Sequence, residues 1–307
     1  MSAARYREGE AVVVSRLPPS DQERSFQTFL WNRKAGAVLG RTPSSWAKIG
    51  LFYIVFYIFL AGFFSLLMFV FYQTIDLKVP KYTGQESLLR NPGLSYRPKF
   101  LYSDDLRPTI IYEPGFRDTA LTYIYSINEF LQKYDNRSPT SNSVTCVPGE
   151  EVPAGSLCDF DILNVNTSCS KENDWGYSTN SPCLLLKLNR MFSWTPEPHH
   201  HLDELPEGLQ QHLNSSVADP HMVVKKYVWV WCESDDVKIE QLSPGIPVNF
   251  FPFFNQEGYI SPFVFVRIQN LPIDQKVKVR CRAWANNIEH RINKRLTGEA
   301  VVYFHLY

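Results

Sequence analysis

Cysteine is missing from the first 145 residues of the chain; all six, Cys146, Cys158, Cys169, Cys183, Cys232 and Cys281, come later. The set holds no Cys-x-x-Cys pair, and spacings of 12, 11, 14, 49 and 49 fit no zinc module, so it reads as disulfides formed in an oxidising compartment rather than as metal ligands. Charge is missing elsewhere: no Asp, Glu, Lys or Arg occurs from Ile49 to Tyr72. Net charge is missing overall, with 31 basic and 31 acidic residues, and neither the part before the uncharged run nor the part after it is charged enough to suggest nucleic acid as a partner. Gly-x-Ser-x-Gly, a Walker-type glycine loop and His-Glu-x-x-His are all absent, so no signature of hydrolase, nucleotide or zincin chemistry is present.

The uncharged run is itself informative. Its 24 residues make about 36 Å of helix, enough to cross a hydrocarbon core of about 30 Å. Forty-eight residues precede it, too many for a cleaved signal peptide, so it reads as a permanent anchor. Residues 1–48 carry a net charge of +4, with Arg33, Lys34, Arg41 and Lys48 close to the span, whereas the residues after it sum to −4. The positive-inside rule then predicts a cytoplasmic N-terminus and a type II, single-pass orientation. The cysteines and three glycosylation sequons, at Asn136, Asn166 and Asn214, all fall on the other side, as that orientation requires.

Four segments follow from composition: a cytoplasmic tail at 1–48, a transmembrane helix at 49–72, a proline-bearing stalk at 73–115 and a folded domain at 116–307. Within the last, apolar Leu121, Ile124, Ile127, Phe130 and Leu131 recur at helical spacing, and one helix is expected at about 118–134. Residues 140–222 hold four cysteines and many Asn, Ser and Pro, and are expected to be loop-rich. Beyond them the period becomes two. Lys276, Lys278, Arg280 and Arg282 alternate with Val277, Val279, Cys281 and Ala283, and Val228, Val230 and Cys232 alternate with Tyr227, Trp229 and Trp231. Cys232 and Cys281 on such strands suit a strand-to-strand or sheet-to-sheet staple. The fold expected is a mainly-β, immunoglobulin-like sandwich with one helix and disulfide-stapled insertions, behind a single transmembrane helix.

Two constellations invite chemistry. A type II anchor with a disulfide-bonded domain is also the layout of many glycosyltransferases, and Asp159-Phe160-Asp161 matches the metal-binding Asp-x-Asp of such enzymes; it stands in a loop-rich region without strand–helix repeats, which argues against a nucleotide crevice. His199, His200 and His201 lie in what reads as a solvated surface loop. Neither supports a catalytic or metal site, and no cofactor is expected. The span offers more. Tyr53 and Tyr57 fall one turn apart, Phe56 flanks them, and Gly62 permits close backbone approach. Lipid gives phenol groups no partner in mid-membrane, so these residues predict contact with another transmembrane helix.

The stretches "FLWNRKAGAVLGRTPSSWAKIGLFYIVFYIFLAG" (29–62), "SPCLLLKLNR" (181–190), "SPGIPVNFFPFF" (243–254) and "VRCRAWANNI" (279–288) closely resemble the β subunits of sodium/potassium-transporting ATPases. The resemblance implies the disulfides Cys146–Cys158, Cys169–Cys183 and Cys232–Cys281. It implies a non-catalytic, plasma-membrane partner of the pump's catalytic α subunit that assists its folding and export and tunes potassium affinity, in a lipid setting where a small single-span regulatory subunit also joins some pumps. It also implies that the run Phe250, Phe251, Phe253, Phe254 with Tyr259, phenylalanine-rich where the family is usually tyrosine-rich, docks onto an extracellular loop of α. A homotypic adhesion glycoprotein and a proton/potassium pump β subunit are the alternative readings.

Overall fold

The computed structural model describes residues 26, 29–32, 36–83, 86–87, 92–99, 108–135, 140–160, 168–290 and 298–307. They form two compact units, divided after Ile75. In the first, helix α1 runs from Pro43 to Gln73. It begins six residues ahead of the uncharged run because Pro43, whose fixed φ and missing N–H suit a first helical position, follows an extended Thr42. At its other end the Thr74 hydroxyl donates to the Phe71 carbonyl at 2.7 Å. No residue of α1 is buried, so its apolar surface on all sides must be met by lipid or by another helix. A short hairpin, β1 (Trp31–Asn32) against β2 (Ala37–Val38), precedes it, and the Trp46 indole ties the first turn of α1 to that hairpin by donating to the Val38 carbonyl at 2.9 Å.

The second unit contains two packed sheets. One orders β3 (Leu94–Arg97), β7 (Cys183–Leu188), β11 (Val264–Gln269) and β9 (Lys238–Gln241), all antiparallel. The other orders β10 (Ile246–Pro247), β8 (Tyr227–Glu233), β12 (Lys276–Trp284), β13 (Glu299–Leu306) and β4 (Thr109–Tyr112), with only β13 and β4 parallel. Between β4 and β7 the chain adds a small parallel pair, β5 (Ser143–Val144) with β6 (Leu157–Cys158). Strand β12 shows the predicted alternation: Val277, Val279, Cys281 and Ala283 are fully buried while the intervening cations stay half exposed. Together these strands bear out the β-sandwich.

Helix α2 (Arg117–Asp135) matches the expected helix within one residue at each end. Its buried stripe, Ala120, Tyr123, Ile124, Ile127, Phe130, Leu131 and Tyr134, contains four of the five residues expected there; Leu121, counted in the expected stripe, is exposed, and Ala120 takes the inward position beside it. It shares cover of the four-stranded sheet with Trp175, whose ring stacks on Phe265 at 5.4 Å. Tyr134 meets Phe263 edge-on at 5.1 Å and donates its hydroxyl to the Ser261 carbonyl at 2.7 Å.

Two expectations need correction. Strands β3 and β4 lie inside 73–115, expected as stalk, so the sandwich begins at Leu94. Both are four-residue strands at sheet edges with Pro98 and Pro108 just outside them, and edges tolerate proline. The region 140–222 is less loop-rich than its composition suggests, because it contains β7 and two short helices, α3 (Glu207–Ser216) and α4 (Pro220–Val224). Two leucines on α3, Leu209 and Leu213, give too little periodicity to announce it. Its support is tertiary: with Leu202, Leu205 and Val224 they enclose Trp229 of β8, whose indole donates to the Val224 carbonyl at 3.1 Å. Of the two arrangements left open for Cys232 and Cys281, the strand-to-strand one holds: they are directly opposed in the β8–β12 register, so their disulfide joins neighbouring strands of one sheet.

The other two disulfides are Cys146–Cys158, closing the β5–β6 excursion, and Cys169–Cys183, tethering the turn around Trp175 to β7. In the chain-entropy view, losing the closure between Cys232 and Cys281 costs about 4 kcal/mol. Cys281→Ser in the full chain is therefore expected to lower the melting temperature of the C-terminal unit sharply. A melting curve superimposable on the parent's would contradict that assignment of stability.

Candidate partner-binding surfaces

On α1 the rings of Tyr53 and Tyr57 stack at 6.2 Å, and those of Phe52 and Phe56 at 6.3 Å, the contacts that a four-residue spacing produces. Phe56 also meets Tyr57 edge-on at 5.5 Å. The two tyrosines are 50% and 59% exposed, so this double ladder is uncovered by any of the described residues. Gly62 does not share it. At about 100° per residue it sits about half a turn around the helix from Tyr53, whereas Phe64 falls nearly beneath Tyr53. An added Cβ at Gly62 meets open space, leaving that opposite side flat.

In the second unit, the five aromatic residues of 250–259 separate into different roles. Phe250 ends a 3-10 turn (Val248–Phe250) and is 7% exposed, its ring 5.8 Å from that of Phe160. Phe251 turns to Trp194, edge-on at 5.4 Å. Phe253 forms an isolated parallel bridge with Phe192 and accepts at its carbonyl from the Ser193 N–H at 2.8 Å. Its ring faces that of Tyr259 at 4.9 Å, and the Arg190 guanidinium lies 5.3 Å and 5.2 Å from the two ring centroids. Arg190 is fixed there by donating to the Ser261 hydroxyl at 2.8 Å. Burial pushes the Tyr259 hydroxyl up to about 12. Phe254 alone stays mostly exposed, at 53%, leaning on Phe192.

Asn249, which residue patterns did not single out, organises this surface. Its side-chain oxygen accepts from the Gly149 N–H at 2.9 Å, and its amide donates to the carbonyls of Val147 and Glu150. The Cys146–Cys158 loop is thereby held beside the aromatic segment. A groove of about 530 Å³ runs between them, with Phe250, Phe251, Phe254 and Tyr259 on one side and Glu150 and Glu151 on the other. Arg190, Phe192 and Trp194 were likewise missed as site residues. Arg190 closes the quoted "SPCLLLKLNR", but nothing in its spacing points to an aromatic partner.

The remaining candidates are placed as follows. Asn214 is exposed on α3, and Asn136 and Asn166 lie outside the described residues, as does Asp161. Phe160, between the two aspartates, packs on Phe263 at 4.8 Å and belongs to the core. The histidine run is an exposed surface turn, as expected, with internal hydrogen bonds: Glu204 accepts from the backbone N–H of His200 and lies 3.1 Å from His199 Nδ1, while Leu202 and Leu205 are buried beneath it. Among the described residues no three His, Cys, Asp or Glu side chains are grouped to hold a metal ion.

A sequence model of the family described as "Sodium / potassium ATPase beta chain" matches residues 18–303. The chain is 33% identical over 306 residues to the Drosophila melanogaster protein named sodium/potassium-transporting ATPase subunit beta-2, covering 94% of each. It is 34% identical over 287 residues to that fly's subunit beta-1, covering 89% of this chain and 90% of the relative. To subunit beta-2 of Rhinella marina it is 30% identical over 308 residues, covering 95% and 97%. A match of this extent, over a single apolar helix and a disulfide-bonded β-sandwich, shows that the chain belongs to the sodium/potassium ATPase β chain family.

Proposed function

We propose that the chain is the non-catalytic β subunit of a sodium/potassium pump, bound to a catalytic α subunit, assisting its folding and delivery to the plasma membrane and tuning its potassium affinity. The observation that carries this reading is α1: a double aromatic ladder in a helix with no buried residue. Rings and phenol groups at that depth gain from a packed helix and not from lipid. The segments are a cytoplasmic tail before the span, the span itself, a connector running to about Leu94, and the glycosylated extracellular sandwich. The lysine and arginine bias of the tail supports that orientation. Docking of the sandwich on α is assigned to the surface of Phe253, Phe254 and Tyr259, with Phe250 and Phe251 holding it from behind.

Replacing Tyr53 and Tyr57 together by Leu keeps the span apolar and removes the ladder. The double variant is expected to co-purify less α subunit in mild detergent or to transport with shifted potassium affinity; if both measurements match the parent, the helix assignment fails. For the sandwich, Phe250→Ala opens the core and is expected to cost about 3–5 kcal/mol, whereas Phe254→Ala should change folding stability by no more than about 0.5 kcal/mol and still weaken the hold on α. Equal destabilisation by the two would assign the whole run to the core. Asn214→Gln is expected to remove one endoglycosidase-sensitive mobility step, and persistence of every step would exclude a glycan there.

A further inference from the structure

Three cations from three different elements converge on one ring. Lys133 Nζ of α2 lies 4.1 Å from the centroid of Phe130, the Arg97 guanidinium of β3 lies at 5.3 Å, and Lys187 Nζ of β7 at 5.6 Å. The register brings this about. Arg97 is opposite Leu185, so it shares a face with Lys187 two residues along, and that is the face against α2. Several arginines elsewhere in the unit are paired, as in Arg117 with Asp174 at 2.8 Å and Arg280 with Glu299 at 3.3 Å. Here they are not. Among the described residues, neither lysine head makes a hydrogen bond or an ion pair, and Arg97 donates only to the Tyr96 carbonyl at 2.8 Å, with Glu129 the one carboxylate acting on it. Burial, then the repulsion of Lys133, Arg190 and Arg97, pulls Lys187 down to about 8.

Lys133 Nζ also lies 5.3 Å from the Tyr134 centroid, but two rings cannot compensate three like charges, each worth only about 0.5–2 kcal/mol against a π face. We propose that Arg97, Lys133 and Lys187 form a binding site for one divalent tetrahedral oxyanion, a sulfate or phosphate group, held between the three cationic heads beside Phe130. A carboxylate would leave two charges uncompensated and presents oxygens in one plane. A tetrahedral group presents them in several directions, which suits donors arriving from a helix and two strands. Such a group exists both as the free ion and as an ester on a saccharide.

The test is equilibrium dialysis of the full chain in detergent against radiolabelled sulfate, with ionic strength held constant by chloride. Saturable binding of about one sulfate per chain is expected. It should weaken about tenfold or more in Lys187→Gln and in Lys133→Gln, survive in Lys187→Arg, and be unchanged in Lys225→Gln. Removing a like charge should leave melting at or above the parent's, so a loss of binding is not a loss of fold; should Lys187→Gln unfold, Lys133→Gln on the exposed side of α2 gives the same reading. Displacement of the label by a sulfated disaccharide at lower concentration than by inorganic sulfate identifies an ester ligand, and equal or weaker displacement identifies the free ion. Non-saturable binding, or Lys133→Gln binding like the parent, overturns the site.

Discussion

Strand β7 is buried on both faces, and most of the C-terminal unit is arranged around that constraint. Leu184, Leu185 and Leu186 are all fully buried. A strand pairs its backbone sideways but cannot cover its own faces, so one side must be met by the second sheet and the other by something added. The addition is α2 with the turn bearing Trp175. That turn adopts left-handed backbone at Asp174 and Trp175, a costly conformation for residues with a Cβ. It is held there by the two-pronged Arg117–Asp174 pair, by the Trp175 indole donating to Asn128 at 3.0 Å, and by Cys169–Cys183. The disulfide therefore fastens the cover to the strand that needs covering.

The same constraint decides what the sequence reveals. Strand β12 has one apolar and one cationic face, so its alternation is legible, and Cys281 could be assigned to the interior from the pattern alone. Strand β7 has no solvated face; "CLLLKL" carries no period and is hidden in a region whose Asn, Ser and Pro content suggests loops. Helix α2 shows itself because its stripe extends over about four turns, whereas α3 owes its existence to Trp229 and is invisible until the outer face of β8 is known to be covered. The staple between Cys232 and Cys281 was legible as a pair of strands but not as a register, since alternation fixes which face a cysteine takes and says nothing of which strand lies beside it.

The aromatic segment at 250–259 was legible as a cluster of rings but not as an arrangement. Pro247 and Pro252 keep it from forming a regular strand, and without a period successive rings need not alternate between two faces. Phe250 is drawn inward by Phe160, Phe253 is held by Arg190 and Tyr259, and Phe254 is left outside. Phe160 and Arg190 stand 90 and 63 positions before the rings they meet, separations at which spacing carries no information. On α1 the opposite holds. A helix determines its own neighbours, so the Tyr53–Tyr57 contact could be read from a spacing of four, and Gly62 could have been excluded from that face by the same arithmetic.

The two surfaces differ in how they are kept apolar without aggregating. The α1 ladder is safe only while the helix is in a bilayer or against a partner, since every side chain on it faces outward. The sandwich instead buries Phe250, leaves Phe251, Phe253 and Tyr259 half-buried and exposes Phe254, with the Arg190 guanidinium laid across Phe253 and Tyr259 so that a charge covers the rings. A partner reaching that surface would have to displace or accommodate the guanidinium. Because the Ser261 hydroxyl already fixes Arg190, accommodation costs less ordering than displacement, which favours a partner whose own carbonyl or carboxylate oxygens can accept from its remaining N–H groups.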